Sequence, residues 1–485
     1  MTTNMRVMLG GTDQTVVARQ ALNELFRTEG GRQGLWVVGQ DFWGWSGERW
    51  AMRQKSEIER MVIEWLEDAL IPQGDNADGQ PIFGRATDKL SARDVREIVW
   101  MVERMCQAPV STMPRWLEPG NWPDPDHCIP FQNVVVDIKK TAELRKAGQT
   151  GYITLPRDDR FFGAGVLSVN FDPDAPCPTW IKAQEDWSMG DKVWQEVRER
   201  AYGYACMATR KEGKALLEQG KTQSGKGSGT NDVLSKLLAR PAYYSTTMDQ
   251  IVDTFGMDGL HQSQVWVTSE VRDLDRGAGS KFATILKMVL GRDAAVVNIK
   301  HVRQLKGVVF RCFPIMQSNP MPNFPDDAGA VTSKLIVLPF RNSFADRRDN
   351  DLPEKLGSEL TGIAARFADA AVRLEMATGH DRWPLVEGAA EILNEIALNG
   401  NPFDAFMKWG FVKSSNGIVS ADYINVKRME FEAETGVILR KKDGKKVPES
   451  QLLYFLETQT NWKVGRKVLR DGTTGLTGIG MKGIA

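Results

Sequence analysis

Gly220-Lys221-Thr222-Gln223-Ser224-Gly225-Lys226-Gly227-Ser228 has the spacing of a phosphate-binding loop, G-x-x-x-x-G-K-G-S. Glycines at Gly220, Gly225 and Gly227 let backbone amides turn toward phosphate oxygens, and Lys226 adds a point charge beside the β- and γ-phosphates. A helix following the loop would present its N-terminal amides to the same anion. The usual hydroxyl directly after the lysine is replaced by Gly227, so Ser228 or Thr230 must supply it. Ala215-Leu216-Leu217 before the loop has the character of a buried strand, and Val233, Leu234, Leu237 and Leu238 after it have helical spacing. That order, strand then glycine loop then helix, is the one a nucleotide site requires; a flexible Gly/Ser/Lys surface segment is the competing reading.

A triphosphatase also needs a carboxylate at the tip of a neighbouring strand, to hold Mg²⁺ and polarise water. Val265-Trp266-Val267-Thr268-Ser269-Glu270 supplies an apolar strand ending in Glu270, with Asp273 nearby; a solvated strand-end acid would look the same. Phe313 to Asn319 ends a further apolar run in an amide that could report the γ-phosphate, although Asn319-Pro320 is also a turn initiator. Between them, Val296 to Lys306 reads as a hairpin carrying Lys300, His301, Arg303 and Lys306. Its tip could meet phosphates of a nucleic-acid strand or be an ordinary solvated surface.

These residues need elements to hold them. The 485 residues are enough for two to four domains, and 42% hydrophobic with 26% charged residues is ordinary for a globular protein. Lys plus Arg and Asp plus Glu are 62 each, so any nucleic-acid contact must be a local basic feature. Five scattered cysteines and four histidines, without C-x-x-C, argue against a disulfide framework or structural zinc. No long apolar run or signal-peptide pattern stands in the sequence, and a reducing cytoplasm is the expected setting. The pattern predicts helices over 15–26, 58–69, 95–106 and 187–209. The glycine-punctuated run 35–50 predicts a β-meander whose tryptophans either stack bases or pack on the next helix. From 213 to 345 strands alternate with helices, as in an α/β core with a parallel sheet, with strand candidates at 265–268, 308–313 and 335–340. Helical stretches follow from 352 and from 383.

The ordered set resembles the superfamily III helicases, in particular the phage, plasmid and poxvirus primase-helicase branch. Phe171-Asp172-Pro173-Asp174-Ala175-Pro176-Cys177-Pro178-Thr179-Trp180 looks like that branch's N-terminal flanking signature. Ile129-Pro130-Phe131-Gln132-Asn133 with Asp137 resembles its upstream element, with Val134 in place of a glycine. The segments at 220–228, 265–270, Gly291-Arg292-Asp293 with Lys300, and Ser318-Asn319 resemble its four motifs. Leu335–Phe340 resembles the strand beside a trans-acting cation, and 475–482 resembles the closing segment.

The resemblance implies a multidomain α/β protein: an N-terminal collar or DNA-entry domain at 1–190, an AAA+ P-loop core at 191–375 and a winged-helix-like domain at 376–485. It implies an ATP-dependent DNA helicase or translocase, assembled as a hexameric ring on single-stranded or forked DNA in the replication of a phage or related mobile element. ATP and Mg²⁺ would be bound by Gly220, Gly225, Lys226, Gly227, Ser228 and Glu270, and the γ-phosphate would be sensed by Asn319. Lys334 or Arg341 of a neighbour would complete the site, and Lys300, His301 and Arg303 would touch DNA. The segment before residue 35 is too short for a polymerase-type primase, so priming would fall to another polypeptide. Gly227, Ser269 and Lys334, a lysine where the family carries arginine, depart from the pattern and imply slow hydrolysis. An initiator or loader that melts DNA without processive unwinding is the alternative, and a small-molecule kinase with the G-K-G-S ending is a third class.

Overall fold

The computed structural model describes residues 7–482 apart from 39–40, 77, 109–113, 164, 208–211, 239, 270, 272–275, 300–303, 323–329, 442–444 and 461, and the side chains at 276–277. Contacts divide the chain into two units. One is 1–173 with 206–209 and 237–242; the other is 174–205, 210–236 and 243–485.

In the first unit, helices Gln14–Leu25, Lys55–Asp68 and Ala92–Met105 bury one apolar stripe each. Val17, Ala21, Ile58, Val62, Ile98 and Val102 meet in a common core. Asp13 caps the first helix, and Ser91 with Asp94 forms a capping box on the third, satisfying amides that the helices leave unpaired. The meander is present as antiparallel strands Leu35–Val38, Asp41–Trp45 and Trp50–Arg53. Its tryptophans form a packing cluster: Trp43 and Trp50 are buried against Phe162, and Trp50 Nε1 donates to the Asp159 carbonyl at 3.0 Å. Such rings are core, not a platform for bases.

The second unit is built on a five-stranded parallel sheet. Its strands in chain order are β1 (Ala215–Gly220), β2 (Tyr243–Thr246), β3 (Val265–Thr268), β4 (Phe313–Ser318) and β5 (Leu335–Phe340), arranged β2-β3-β4-β1-β5. Leu216 lies between Ile315 of β4 and Ile336 of β5, and Val267 pairs with Ile315. Strands β3, β4 and β5 are buried along their whole length, as expected of parallel strands covered on both faces. All five strands are parallel, so the segments leaving β1, β3 and β4 emerge at one edge of the sheet. The apolar run expected as one strand over 308–313 is divided. Leu305–Val309 pairs antiparallel with Ala294–Val297 in a separate hairpin, and β4 starts at Phe313.

After helix Leu360–Met376, which buries five alanines, the chain continues through helices Ala389–Gly400 and Pro402–Gly410. Strand Phe411–Ser420, helices Ala421–Thr435 and Glu449–Gln459, and strands Gly465–Val468 and Thr474–Met481 follow. The last strand lies between the other two in an antiparallel sheet, over a core that includes Phe406, Phe431, Leu452, Leu456 and Leu476. No described helix is long and apolar enough to cross a membrane.

Candidate functional site

The loop 221–227 leaves β1 and turns into a helix whose Ser228–Leu234 stretch is π-helical, a widening that recurs at functional sites. Gly220 and Gly225 have φ +153° and +91°, and Gln223 has φ +52°. A Cβ at Gly220 would overlap the Phe340 carbonyl, and one at Gly225 would overlap the Trp187 indole. The loop is also tied to the segment after β5: Lys221 N–H donates to the Phe340 carbonyl at 3.2 Å, Phe344 N–H to Gln223 O at 2.8 Å, and Ser343 Oγ to Thr222 O at 3.1 Å.

Thr222, Gln223, Ser224, Gly225, Lys226 and Gly227 line one cavity together with Ser269, Gln317, Ser318 and Asn319. The ends of β1, β3 and β4 therefore converge on the lysine. Lys226 Nζ donates to the Gly220 carbonyl at 2.8 Å, to Ser224 Oγ at 3.1 Å and to the Lys221 carbonyl. Burial lowers its pKa, and Glu218 pulls the other way. A lysine so held carries its charge within a cradle of loop oxygens, ready to exchange them for an anion's. Ser228 lies at the start of the helix, and the carboxyl of Asp232, one turn on, is pushed up by burial, with Lys236 and Ser228 opposing. Asn319 is exposed at the cavity, its carbonyl accepting from Gln219 Nε2 at 3.3 Å.

Other expected residues are more dispersed. Lys334 precedes β5, at the end of the sheet away from the loop, and donates to the Leu290 carbonyl at 3.1 Å near the end of helix Arg276–Gly291. Arg341 follows β5 at the loop edge and pairs with Glu387 at 3.3 Å, half-exposed. Glu270, Lys300, His301 and Arg303 lie outside the described residues, as does Asp273. The hairpin arms flanking 300–303 are described, with Lys306 exposed on the second.

Beneath the loop lies a polar network that the sequence reading missed. Glu218 of β1 and Arg198 of helix Lys192–Cys206 form an ion pair at 3.2 Å with neither side chain exposed. The guanidinium also reaches Gln184 Oε1 and Tyr202 Oη, each at 3.2 Å, and Tyr202 Oη donates to Glu218 Oε1 at 2.9 Å. Five rings surround it: Trp187 at 4.6 Å, then Tyr202, Phe340, Trp194 and Trp180 out to 5.7 Å. Such a cage favours arginine, with its planar, weakly hydrated cation. Helix Pro178–Ser188, which brings Trp180, Gln184 and Trp187, is capped by Glu359, whose carboxylate accepts from Thr179 N and Trp180 N at 2.9 and 3.0 Å. Gln317 of β4 completes the network. Its Nε2 lies 2.8 Å from Glu218 Oε2, 2.8 Å from the Lys226 carbonyl and 3.1 Å from Thr230 Oγ1. One amide thus links the strand before the loop, the loop lysine's own backbone and the helix after it. The available signal was Glu218 itself, an acid following an apolar strand run that could be buried only with a partner.

The donors around the cavity are hard oxygens, the chemistry Mg²⁺ takes when it shares its shell with triphosphate oxygens and water. No group of three or more His, Cys, Asp or Glu among the described residues could hold a metal by itself. A nucleotide-associated Mg²⁺ does not need such a group, because one or two protein ligands suffice.

Residues 23–189 match the family model described as "D5 N terminal like", so this N-terminal segment is D5-like. No curated protein sequence matches the chain. Among solved structures, the apo structure of the NrS-1 C-terminal region (305–718) aligns with TM-score 0.50 at 12% identity, covering 92% of this chain and 96% of that one. The A-form apo structure of the NrS-1 C-terminal region gives 0.48 at 11% identity, covering 92% and 96%. At such identity the first likeness bears on the fold alone.

Proposed function

We propose that the chain is an ATP-driven replication protein that works on DNA as a helicase or translocase of the primase-helicase type. The observation that carries this reading is the convergence of the Lys226 loop, Ser269 and Asn319 on one cavity at the edge of a parallel sheet. The D5-like segment at 23–189 supports the same class of protein. The sheet order, with β1 between β4 and β5, is compatible with an AAA+ P-loop core. The succession of helices and antiparallel strands from Pro402 to Met481 is compatible with a winged-helix plan.

In this reading the loop amides and Lys226 hold the ATP phosphates. Ser228 and Glu270 would hold Mg²⁺, which would supply neutralising charge to the phosphate oxygens when bound. Asn319 contacts the γ-phosphate. A second copy, in a hexameric ring, supplies a cation from Arg341 or Lys334. Both cations have partners, Lys334 the Leu290 carbonyl and Arg341 the Glu387 carboxylate, but Arg341 is half-exposed at the loop edge, which favours it. The tip at Lys300, His301 and Arg303 would meet the single strand, a separate primase would make primers, and the site of action would be the cytoplasm of a host cell. Gly227 and Ser269 keep the loader alternative in view, because both remove ligands that speed hydrolysis.

The experiment is unwinding of a forked DNA with Mg²⁺ and ATP, over duplexes of increasing length. Strand release by the wild type, lost in Lys226→Ala, is expected. ATP turnover with release limited to the shortest duplexes would select the loader. Absence of ATP turnover with and without DNA would overturn both.

A further inference from the structure

The chain has no net charge, yet residues 436–485 hold ten Lys or Arg against four Asp or Glu. Part of that excess is concentrated on one hairpin. Strands Gly465–Val468 and Thr474–Met481 pair antiparallel, with Arg466 opposite Leu476 and Lys467 opposite Gly475. The turn is closed by Leu469 N–H to Thr473 O at 2.7 Å and Gly472 N–H to Leu469 O at 3.0 Å, with Gly472 at φ +84°. Lys463, Arg466, Lys467 and Arg470 are all exposed.

The two faces of the first strand differ. Arg466 turns to helix Glu449–Gln459, pairing with Glu457 at 2.7 Å and lying 5.6 Å over the Tyr454 ring. Alternation sends Lys467 to the opposite face. Lys467 and Arg470 have no hydrogen-bond or ion-pair partner among the described residues. The one acid of the turn, Asp471, is occupied locally, its Oδ1 accepting from Thr473 N at 3.0 Å and Thr473 Oγ1 at 2.6 Å.

The neighbouring helix has the opposite character. Glu449–Gln459 contains two glutamates and no lysine or arginine, and its exposed residues include Glu449, Ser450, Gln451, Thr458 and Gln459. Pushed into a groove, that face would bring the Glu449 carboxylate toward phosphates and offer no cation of its own, since the Arg428 that pairs with Glu449 at 3.5 Å is buried. Lysines on an edge strand also discourage strand addition, but Arg470 lies beyond the strand, where no ladder can form.

We propose that the 463–474 hairpin, and not helix Glu449–Gln459, is a docking surface for the phosphate backbone of duplex DNA, with Lys467 and Arg470 as its contacts. A duplex is the occupant because the hairpin offers cations and no aromatic side chain, whereas single-strand sites rely on stacking rings. The proposal rests on the DNA reading above and adds the duplex as a second ligand, bound apart from the cavity that takes ATP.

The test uses the full chain without nucleotide and a fluorescent 30-base-pair duplex, titrated at several salt concentrations. Lys467→Ala with Arg470→Ala is expected to weaken binding about tenfold or more and to lower the salt slope by about 2, one step per lost phosphate contact. Glu449→Ala with Gln451→Ala and Lys226→Ala should bind as the wild type does. The hairpin variant should keep basal ATP turnover, so a failure here is separate from a failure of the ATPase reading. Unchanged affinity and slope in the hairpin variant would overturn the proposal, as would loss confined to the helix variant or a wild type without affinity for the duplex.

Discussion

The loop region at 215–230 and the basic hairpin at 463–474 are both glycine-containing turns rich in Lys, yet they are built in contrary ways. At the loop the charges that face the cavity and the sheet are enclosed, with Lys221 alone exposed at its start. Lys226 lies within carbonyls, and Glu218 and Arg198 are fully buried and mutually paired. Burying such a pair contributes little net stability, but removing one partner strands the other, so its value lies in fixing geometry. At the hairpin the charges stand in water, where pairing is weak and mobility is cheap. An enclosed cation can hold a small anion in one orientation, whereas exposed cations can follow a long, regular polyanion without choosing its sequence. The difference separates a site for chemistry from a surface for docking, and each substitution below should affect one and spare the other.

The largest effect is expected at Gly225. Gly225→Val must place a branched side chain at φ +91° and against Trp187. The strain and overpacking together should cost on the order of 2–4 kcal/mol, read as a lowered melting temperature. ATP binding should be lost, with duplex affinity retained. A variant that melts and binds ATP as wild type does would show that the loop is not held by this packing.

Gln317→Leu should be milder. It leaves a Glu218 oxygen, the Lys226 carbonyl and Thr230 Oγ1 without their shared donor, a loss of about 1–3 kcal/mol. Because Gln317 immediately precedes Ser318-Asn319 on β4, kcat should fall about tenfold, 1.4 kcal/mol, with a smaller change in KM. A change in KM alone would make it a binding support with no hold on the sensor. The hairpin variant Lys467→Ala with Arg470→Ala completes the series, with the smallest expected effect on turnover.

What the sequence made legible follows the same division. That Lys226 and Asn319 would meet at one cavity was legible, because a phosphate loop and a strand-end amide have fixed local spacing; Ser228 is not among the residues lining it. The three-helix pattern of the first unit was readable from its stripes. The fate of the Trp36–Trp50 run was not, because an aromatic meander has the same pattern whether it packs on a core or stacks bases. The run Val308 to Phe313 misled for a physical reason: its apolar residues serve two sheets in succession, and hydrophobicity carries no mark of the handover. Glu218 marked a buried acid in need of a partner, but its partners Arg198 and Gln317 were invisible because they meet it only after β1 and β4 have paired and the helix carrying Arg198 has packed beside them.

The most direct test of the central claim is calorimetric titration of Mg²⁺-ATP into the wild-type chain and into Lys226→Ala. Saturable binding of one nucleotide per chain, weakened about a hundredfold or more in the variant, is the expected result. Equal affinity in the two proteins, or no binding by the wild type, would contradict the assignment of 220–228 as a triphosphate site.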